Sequence, residues 1–151
     1  MQPDTIFLIA NNGILIFWLL LVAAPRWRGT EIAVHSVAIP LVLGLAYGWL
    51  LWRVWIGGEA LPGANYFTLP GVVALFASPV AAVMGWIHYL VFDLFVGAWQ
   101  ARDAARRGVP HWAVVPCLIA TLMAGPVGLL LYLGLRSALG RGGVLLAEQT
   151  G

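Results

Sequence analysis

The string GWIHYLVFDLF, residues 85–95, places a histidine and an aspartate inside a long apolar run. A carboxyl group removed from water tends to keep its proton, and an imidazole nearby can accept one. Pairs of titratable groups in such surroundings are a recurrent way to build an acid–base site. Asp93 and His88 are therefore candidate catalytic residues, and the chemistry that they favour is proton transfer.

The spacing of these two residues limits how they can cooperate. On a helix, five positions separate the two side chains by about 140° around the axis. They could bracket one cavity from two sides or contact different neighbours. The helix face that carries the aspartate comprises Trp86, Tyr89, Asp93 and Gln100. On this face, Trp86 and Tyr89 are candidate substrate contacts.

A structural interpretation stands beside the catalytic one. Polar side chains in a membrane helix can form a hydrogen-bond clamp to a neighbouring helix, typically worth less than about 2 kcal/mol. The candidate partners of such a clamp are Asn11, Asn12 and Arg136. Asn12 is also a candidate substrate contact. The residues alone leave both interpretations open.

Other kinds of site find little support in the sequence. No His-x3-His or HExxH pair is present for a metal, and no serine lies in a nucleophile elbow. The sequence contains no lysine, which excludes Schiff-base chemistry, and its single cysteine, Cys117, cannot form an internal disulfide. We therefore expect neither a metal nor a cofactor, and either acid–base chemistry or no chemistry.

The composition indicates that these residues lie in a membrane. Of the 151 residues, 62% are hydrophobic and 9% are charged, and the mean hydropathy is +0.91. Soluble domains are about 25% charged, and a soluble fold with so few charges would expose large apolar patches. The formal net charge is +2, without the basic, aromatic-interleaved stripe of a nucleic-acid-binding protein. We expect a lipid bilayer as the surroundings and no nucleic acid partner.

Hydropathy predicts the elements that position the candidate residues. A membrane-crossing helix needs about 20 apolar residues. Four charge-poor stretches meet this requirement, at approximately residues 5–25, 32–52, 79–100 and 110–135. The predicted fold is all-α, a polytopic membrane protein with four transmembrane helices in a single integral membrane domain over residues 1–151. Pro70 and Pro79 predict a short segment that leads into the third helix.

The fourth predicted span contains Gly125, Pro126 and Gly128 near its middle. These residues should kink the helix and free a backbone carbonyl, which lipid tolerates only against protein or a cavity. A kinked helix opposite Asp93 would create a pocket open to lipid, which an apolar substrate needs. Gly125 and Pro126 are therefore candidate substrate contacts.

Arginine positions and a short repeat bear on the arrangement of the spans. Five arginines flank one side and three flank the other, which places both hairpin loops in the cytoplasm and both termini outside. The strings HSVAIP at residues 35–40 and HWAVVP at residues 111–116 each open a predicted helix with His-x4-Pro. It is therefore left open whether the four spans form two tandem helical hairpins.

With these residues in view, the chain resembles the abscisic-acid-deficient-4-like family of small four-helix membrane proteins, whose plant members are neoxanthin synthases. The resemblance rests on WIHYLVFDLF at residues 86–95, on His111 and on GPVG at residues 125–128. An early asparagine and the string AAP ending at Pro25 are similar as well.

This resemblance implies an isomerase acting on a carotenoid or a related isoprenoid lipid. Violaxanthin becomes neoxanthin when an epoxide opens while a proton leaves the neighbouring polyene carbon, giving an allene. No electrons are exchanged, so no redox cofactor is implied. The step needs an acid at the epoxide oxygen and a base at the carbon, and Asp93 and His88 fit these roles in either order.

Two other functions stay open, a non-catalytic pigment-binding or assembly protein and a proton-coupled carrier. The arginine-only, Ala- and Gly-rich composition suggests a bacterial protein, so the expected location is the inner (plasma) membrane. The N-terminus lacks a positively charged segment before its first apolar run, and we expect that run to be retained. The expected ligand is apolar and isoprenoid-like, and a homo-oligomer is left open.

Overall fold

The computed structural model describes residues 1–142 of the chain. Over that range the secondary structure is helical: α1 (Pro3–Ala23), α2 (Arg28–Ala33), α3 (Ala38–Trp55), α4 (Leu69–Phe76), α5 (Pro79–Arg107) and α6 (His111–Ala138). Four stretches are long and apolar enough to cross a membrane, namely Pro3–Ala23, Arg28–Trp55, Pro79–Arg107 and His111–Ala138. The predicted all-helical fold with four candidate membrane spans is confirmed.

The second span is broken between α2 and α3. Residues 34–37 are not helical, and Pro40 lies in the first turn of α3. Proline fits a first turn because its missing N–H would have no helical partner there, whereas further inside a helix it breaks the hydrogen-bond ladder. Pro40 therefore explains why a new helix starts at Ala38 instead of continuing from α2.

A connection of 23 residues, 56–78, joins α3 to α5 and contains the short helix α4. The Thr68 side chain caps α4 by accepting a hydrogen bond from the Gly71 amide, and Pro70 lies in its first turn. This is the lead-in segment that the prolines predict. Near the start of the connection, Arg53 binds both oxygens of Glu59 at 2.6 and 2.7 Å. This hydrogen bonding holds the pKa of the Glu59 carboxyl below its usual value.

Helix α6 is kinked as its sequence predicts. Ala124 has non-helical angles, φ −158° and ψ 68°. Pro126 has no N–H to donate to the carbonyl four residues earlier, and its ring collides with that carbonyl in a regular helix. The kink therefore occurs in the turn that precedes the proline.

The chain forms two compact units. Unit 1 consists of Met1–Ile16 and Val37–Phe92, and its core includes Leu50 and Ile87. Unit 2 consists of Phe17–Ser36 and the described residues from Asp93 onward, and its core includes Leu21. The single membrane domain and the tandem hairpins stay predictions.

Candidate functional site

In unit 2, the Asp93 side chain lies against the backbone of α6 at the kink. Asp93 is 8% exposed. A Cβ atom built on Gly125 would overlap the Asp93 carboxyl oxygen Oδ1. Glycine at position 125 is therefore what allows the carboxyl group to approach the helix backbone this closely.

The face of α5 that carries Asp93 is buried along unit 2, because Gly97 and Gln100 on the same face are buried as well. A Cβ on Gly97 would lie 2.6 Å from the Trp18 ring, so this glycine admits an aromatic side chain of α1. One turn further, Gln100 Nε2 donates to Thr121 Oγ1 of α6 at 3.0 Å. In this unit, α5 therefore contacts both α1 and α6 through the face predicted from helical spacing.

Unit 2 also has an apolar groove formed by α5 and α6. It measures about 220 Å³ and is lined by Phe95, Val96, Trp99 and Leu129. Val96 follows Asp93 by three positions, and Leu129 follows Gly125 by four. Along the helix axis the groove begins within about one turn of Asp93, but Phe95 and Trp99 lie about 160° and 120° around α5 from that residue, so the groove opens on a different face of the helix. Its volume is below the roughly 300–1,000 Å³ of an enclosed ligand pocket, so a long ligand would extend into lipid.

A second groove of about 590 Å³ runs along α6 alone. Its lining comes from both sides of the kink and is apolar: Ala113, Pro116, Cys117, Val127, Leu130, Leu131, Gly134, Leu135 and Ala138. The groove follows the bend of the helix. It shows that the kink also shapes the surface that α6 exposes.

In unit 1, Trp86 is held by the N-terminal helix. Its indole Nε1 donates to Asn11 Oδ1 at 3.1 Å, and its ring lies 5.7 Å from Phe7 and 5.2 Å from Tyr89. The neighbouring Asn12 is exposed. The polar partner of Trp86 is therefore Asn11, the other member of the asparagine pair.

His88 also belongs to unit 1, and it is exposed. Its imidazole lies 5.6 Å from the Tyr47 ring and 4.6 Å from the Phe92 ring, measured between ring centroids. These contacts place His88 in aromatic surroundings, whereas Asp93, Gly125 and Pro126 belong to unit 2. The roles that the sequence suggests for His88 and for these three residues stay predictions.

A second buried polar cluster in unit 2 was not predicted from the sequence. Asp103 is 1% exposed and accepts hydrogen bonds from three side chains, from Tyr132 Oη at 2.6 Å, Arg136 Nη1 at 2.8 Å and Arg107 Nε at 2.9 Å to each carboxyl oxygen. Arg136 is fully buried, and its guanidinium lies 5.9 Å from the Trp99 ring centre. The cluster joins the last turns of α5 and α6 by charge.

The signal for this cluster was present in the spacing of the sequence. Asp103 and Arg107 are four positions apart, as are Tyr132 and Arg136, so each pair shares one helix face. Residues 101–107 are mostly strong helix formers, and the first break is Gly108, with a positive φ of 68°. Ending the third span at the first charge, near residue 100, left Asp103 outside the helix.

The polar side chains described above can take part in proton transfer and hydrogen bonding. Among residues 1–142, no group of three His, Cys, Asp or Glu side chains is arranged to hold a metal ion. The oxygens of Asp103 are already engaged by two arginines and a tyrosine.

Comparison with known proteins identifies the family of this chain. A family model described as ABA DEFICIENT 4-like matches residues 5–132. The chain belongs to the ABA DEFICIENT 4-like family. The resemblance drawn from the sequence is thereby confirmed. The region matched by the ABA DEFICIENT 4-like family model includes Asp93, Asp103, Gly125 and Tyr132, whereas Arg136 lies beyond it.

One relative is the Arabidopsis thaliana protein named "Protein ABA DEFICIENT 4, chloroplastic", which is 28% identical to this chain over 122 residues. The matched segment covers 77% of this chain and 55% of the plant protein, so the chain spans about half the length of that relative. No solved structure matches.

Proposed function

We propose that this ABA DEFICIENT 4-like protein is a cofactor-independent isomerase that acts on a carotenoid or a related isoprenoid lipid. The observation that carries the proposal is the Asp93 carboxyl, which is buried against Gly125 at the kink of α6. An ionised aspartate at the centre of a membrane helix costs roughly 2.5–3.5 kcal/mol on insertion scales. A carboxyl in such a place is more often functional than incidental.

The proposed reaction rearranges atoms without gain or loss. A proton from Asp93 goes to the epoxide oxygen as one carbon–oxygen bond breaks, which leaves a hydroxyl group. A proton from the neighbouring polyene carbon goes to a base, and the electrons of that C–H bond form the allene. His88 is the residue proposed for the base, and the reversed assignment gives the same balance. After each turnover, proton exchange returns a proton to the acid and removes one from the base.

The apolar groove supports an isoprenoid ligand. Its lining, Phe95, Val96, Trp99 and Leu129, offers aromatic and aliphatic contacts and no charge. Because it holds only part of a long polyene, the remainder of the ligand would stay in the bilayer. We propose the bacterial inner membrane as that bilayer. A homo-oligomer stays a prediction.

Expression in cells that make epoxy-carotenoids tests this function. The parent chain is expected to convert a pigment into an isomer of equal mass, detected by liquid chromatography with mass spectrometry. Asp93→Asn keeps the shape of the side chain and removes its acidity, so it should reduce conversion by about 100-fold or more. Asp4→Asn makes the same chemical change at an exposed position and should retain conversion.

Two outcomes would contradict the proposal. One is an unchanged pigment profile with every epoxy-carotenoid supplied to a folded, membrane-inserted protein. The other is conversion by Asp93→Asn at the parent rate. Retained pigment binding with no conversion by either chain would instead support the non-catalytic pigment-binding function.

A further inference from the structure

A polar pocket in unit 2 lies apart from the Asp93 contact. It has a volume of about 250 Å³, and its polar lining is Arg26, Glu31, His35, Arg102 and His111. Its apolar lining is Pro25, Ala101, Ala104, Ala105 and Val109. We call this cavity the arginine–histidine pocket. The function proposed above uses none of its residues.

Hydrogen bonds order the polar side of the pocket. Arg102 Nη1 lies 3.1 Å from His35 Nδ1. A guanidinium can only donate, so His35 Nδ1 accepts and the imidazole carries its proton on Nε2. His35 also hydrogen-bonds to the backbone of Pro25. The imidazole therefore ties Arg102 to the segment that follows α1.

The second histidine fixes another wall of the pocket. His111, the first residue of α6, donates from Nε2 to the Val22 carbonyl of α1 at 2.8 Å. That carbonyl lies in the last turn of α1, where carbonyls lack helical donors. The wall therefore joins the end of α1 to the start of α6.

The pocket lies at the ends of candidate spans. Pro25 and Arg26 lie between the first and second spans, Val109 lies between the third and fourth, and the other lining residues come from the span ends next to these two connections. If each span crosses the membrane once, both connections reach the same side. This places the pocket at the depth of the lipid headgroups on the arginine-rich side.

We propose that the arginine–histidine pocket binds a phosphate group, supplied by the headgroup of an anionic phospholipid. Two arginines and one glutamate give the lining a net charge of +1 when both imidazoles are neutral. This matches the single negative charge of a phosphodiester better than the higher charge of free phosphate. Guanidinium groups are well suited to phosphate oxygens, and basic pockets between membrane helices bind anionic headgroups.

Two pairs of neighbouring arginines provide matched variants. Arg26 lines the pocket, whereas Arg28, two positions later and also exposed, does not. Arg102 lines it, whereas Arg106, one turn later on α5, does not. Each Arg→Gln change removes one charge from the same side of the protein. If the two variants of a pair lose different amounts of lipid affinity, the difference reports binding in the pocket and not attraction to the general surface potential.

The test uses the full chain in a neutral detergent, with bound lipid counted by native mass spectrometry. The probes are phosphatidylglycerol, phosphatidylcholine and inorganic phosphate, in separate titrations. We expect preferential binding of phosphatidylglycerol. Arg26→Gln and Arg102→Gln should each weaken it by about fivefold, and Arg28→Gln and Arg106→Gln by less than about twofold.

Each other outcome decides a part of the proposal. Equal losses within both matched pairs would overturn the pocket in favour of diffuse surface attraction, and equal binding of both lipids would overturn it outright. If inorganic phosphate saturates the pocket, and Arg26→Gln and Arg102→Gln weaken its binding in the same way, phosphate binding is supported but the lipid headgroup is not its source. If Arg102→Gln does not fold, the exposed Arg26→Gln still decides, because among residues 1–142 the Arg26 side chain has no hydrogen bond comparable to the Arg102–His35 bond.

Discussion

At the scale of single residues, the position of the Asp93 carboxyl depends on a glycine of another helix. A methyl group at position 125 would occupy the space that Asp93 Oδ1 now fills. Gly134, in the same helix, has no atom near the place of a Cβ, so the helix itself does not demand glycine there. Substitutions at the two positions therefore distinguish the need for space beside Asp93 from the general effect of replacing a glycine in this helix.

Gly125→Ala is expected to lower the free energy of unfolding by about 1–3 kcal/mol, because it overpacks a buried contact. It should also displace Asp93 and reduce pigment conversion. Gly134→Ala is expected to raise stability by roughly 0.5–1 kcal/mol through helix propensity, with conversion retained. Denaturation of the purified chains in detergent gives the comparison. A Gly125→Ala chain as stable and as active as the parent would show that the contact does not constrain Asp93.

Asp103 shows how much one buried carboxylate can matter for stability. Its removal leaves Arg136 buried with its charge no longer balanced, and losing one partner of a buried ion pair typically costs about 3–5 kcal/mol. Asp103→Ala is therefore expected to lower the unfolding midpoint strongly. Glu59→Ala removes a carboxylate from the partly exposed Arg53 pair and should change the midpoint less. Similar midpoints for the two variants would argue against a structural role for the cluster.

At the scale of elements, the kink of α6 creates the close approach of Asp93 to Gly125. The kink follows from Pro126, and Pro116 lies in the same helix ten residues earlier, where no non-helical angles are recorded. A proline alone therefore does not account for the size of the bend. The glycines on each side of Pro126 allow the backbone to depart further from helical geometry.

Pro126→Ala should add a backbone N–H at position 126, remove the proline ring and make the turn more regular. We expect slower amide hydrogen exchange over residues 121–128, measured by mass spectrometry, and reduced pigment conversion because Gly125 moves relative to Asp93. Pro116→Ala is the control and should leave exchange over residues 121–128 and conversion close to those of the parent. Faster exchange in Pro126→Ala would contradict this account of the kink.

The sequence predicted the elements better than their polar contacts. Hydropathy and proline positions were enough for the four spans, for α4 and for the kink, because each follows from local chain properties. The break at residues 34–37 was missed, since apolar character alone does not distinguish a continuous helix from two joined ones. The Asp103 cluster was missed because charged residues were taken as loop, whereas α5 continues to Arg107. Its tertiary partners on α6 could only come from coordinates.

At the scale of the whole molecule, the four candidate spans and the uneven distribution of arginine predict an orientation in the membrane. Arg26, Arg28, Arg102, Arg106 and Arg107 all belong to connections or span ends on one side. Positive charge near span ends is retained in the cytoplasm. The connection 56–78, on the other side, contains no arginine and one glutamate.

Cysteine labelling tests this orientation. In a Cys117→Ser chain, we expect Leu61→Cys to react with a membrane-impermeant maleimide added to intact cells. Arg28→Cys and Arg106→Cys should react only after the membrane is opened. All three positions are exposed, so accessibility within the protein does not decide the result. The reverse pattern would invert the orientation, and equal labelling at all three positions would contradict four crossings.

The ion pair between Asp103 and Arg107 lies within one helix, whereas Arg136 follows Asp103 by 33 positions. When the nascent chain leaves the ribosome, α5 therefore carries its own counter-charge before α6 has been synthesised. Arg136, by contrast, reaches a carboxylate that is already placed. The charge of Asp103 is thus already balanced by Arg107 when the third span is inserted. When the fourth span follows, the Asp103 carboxylate is in place to bind Arg136.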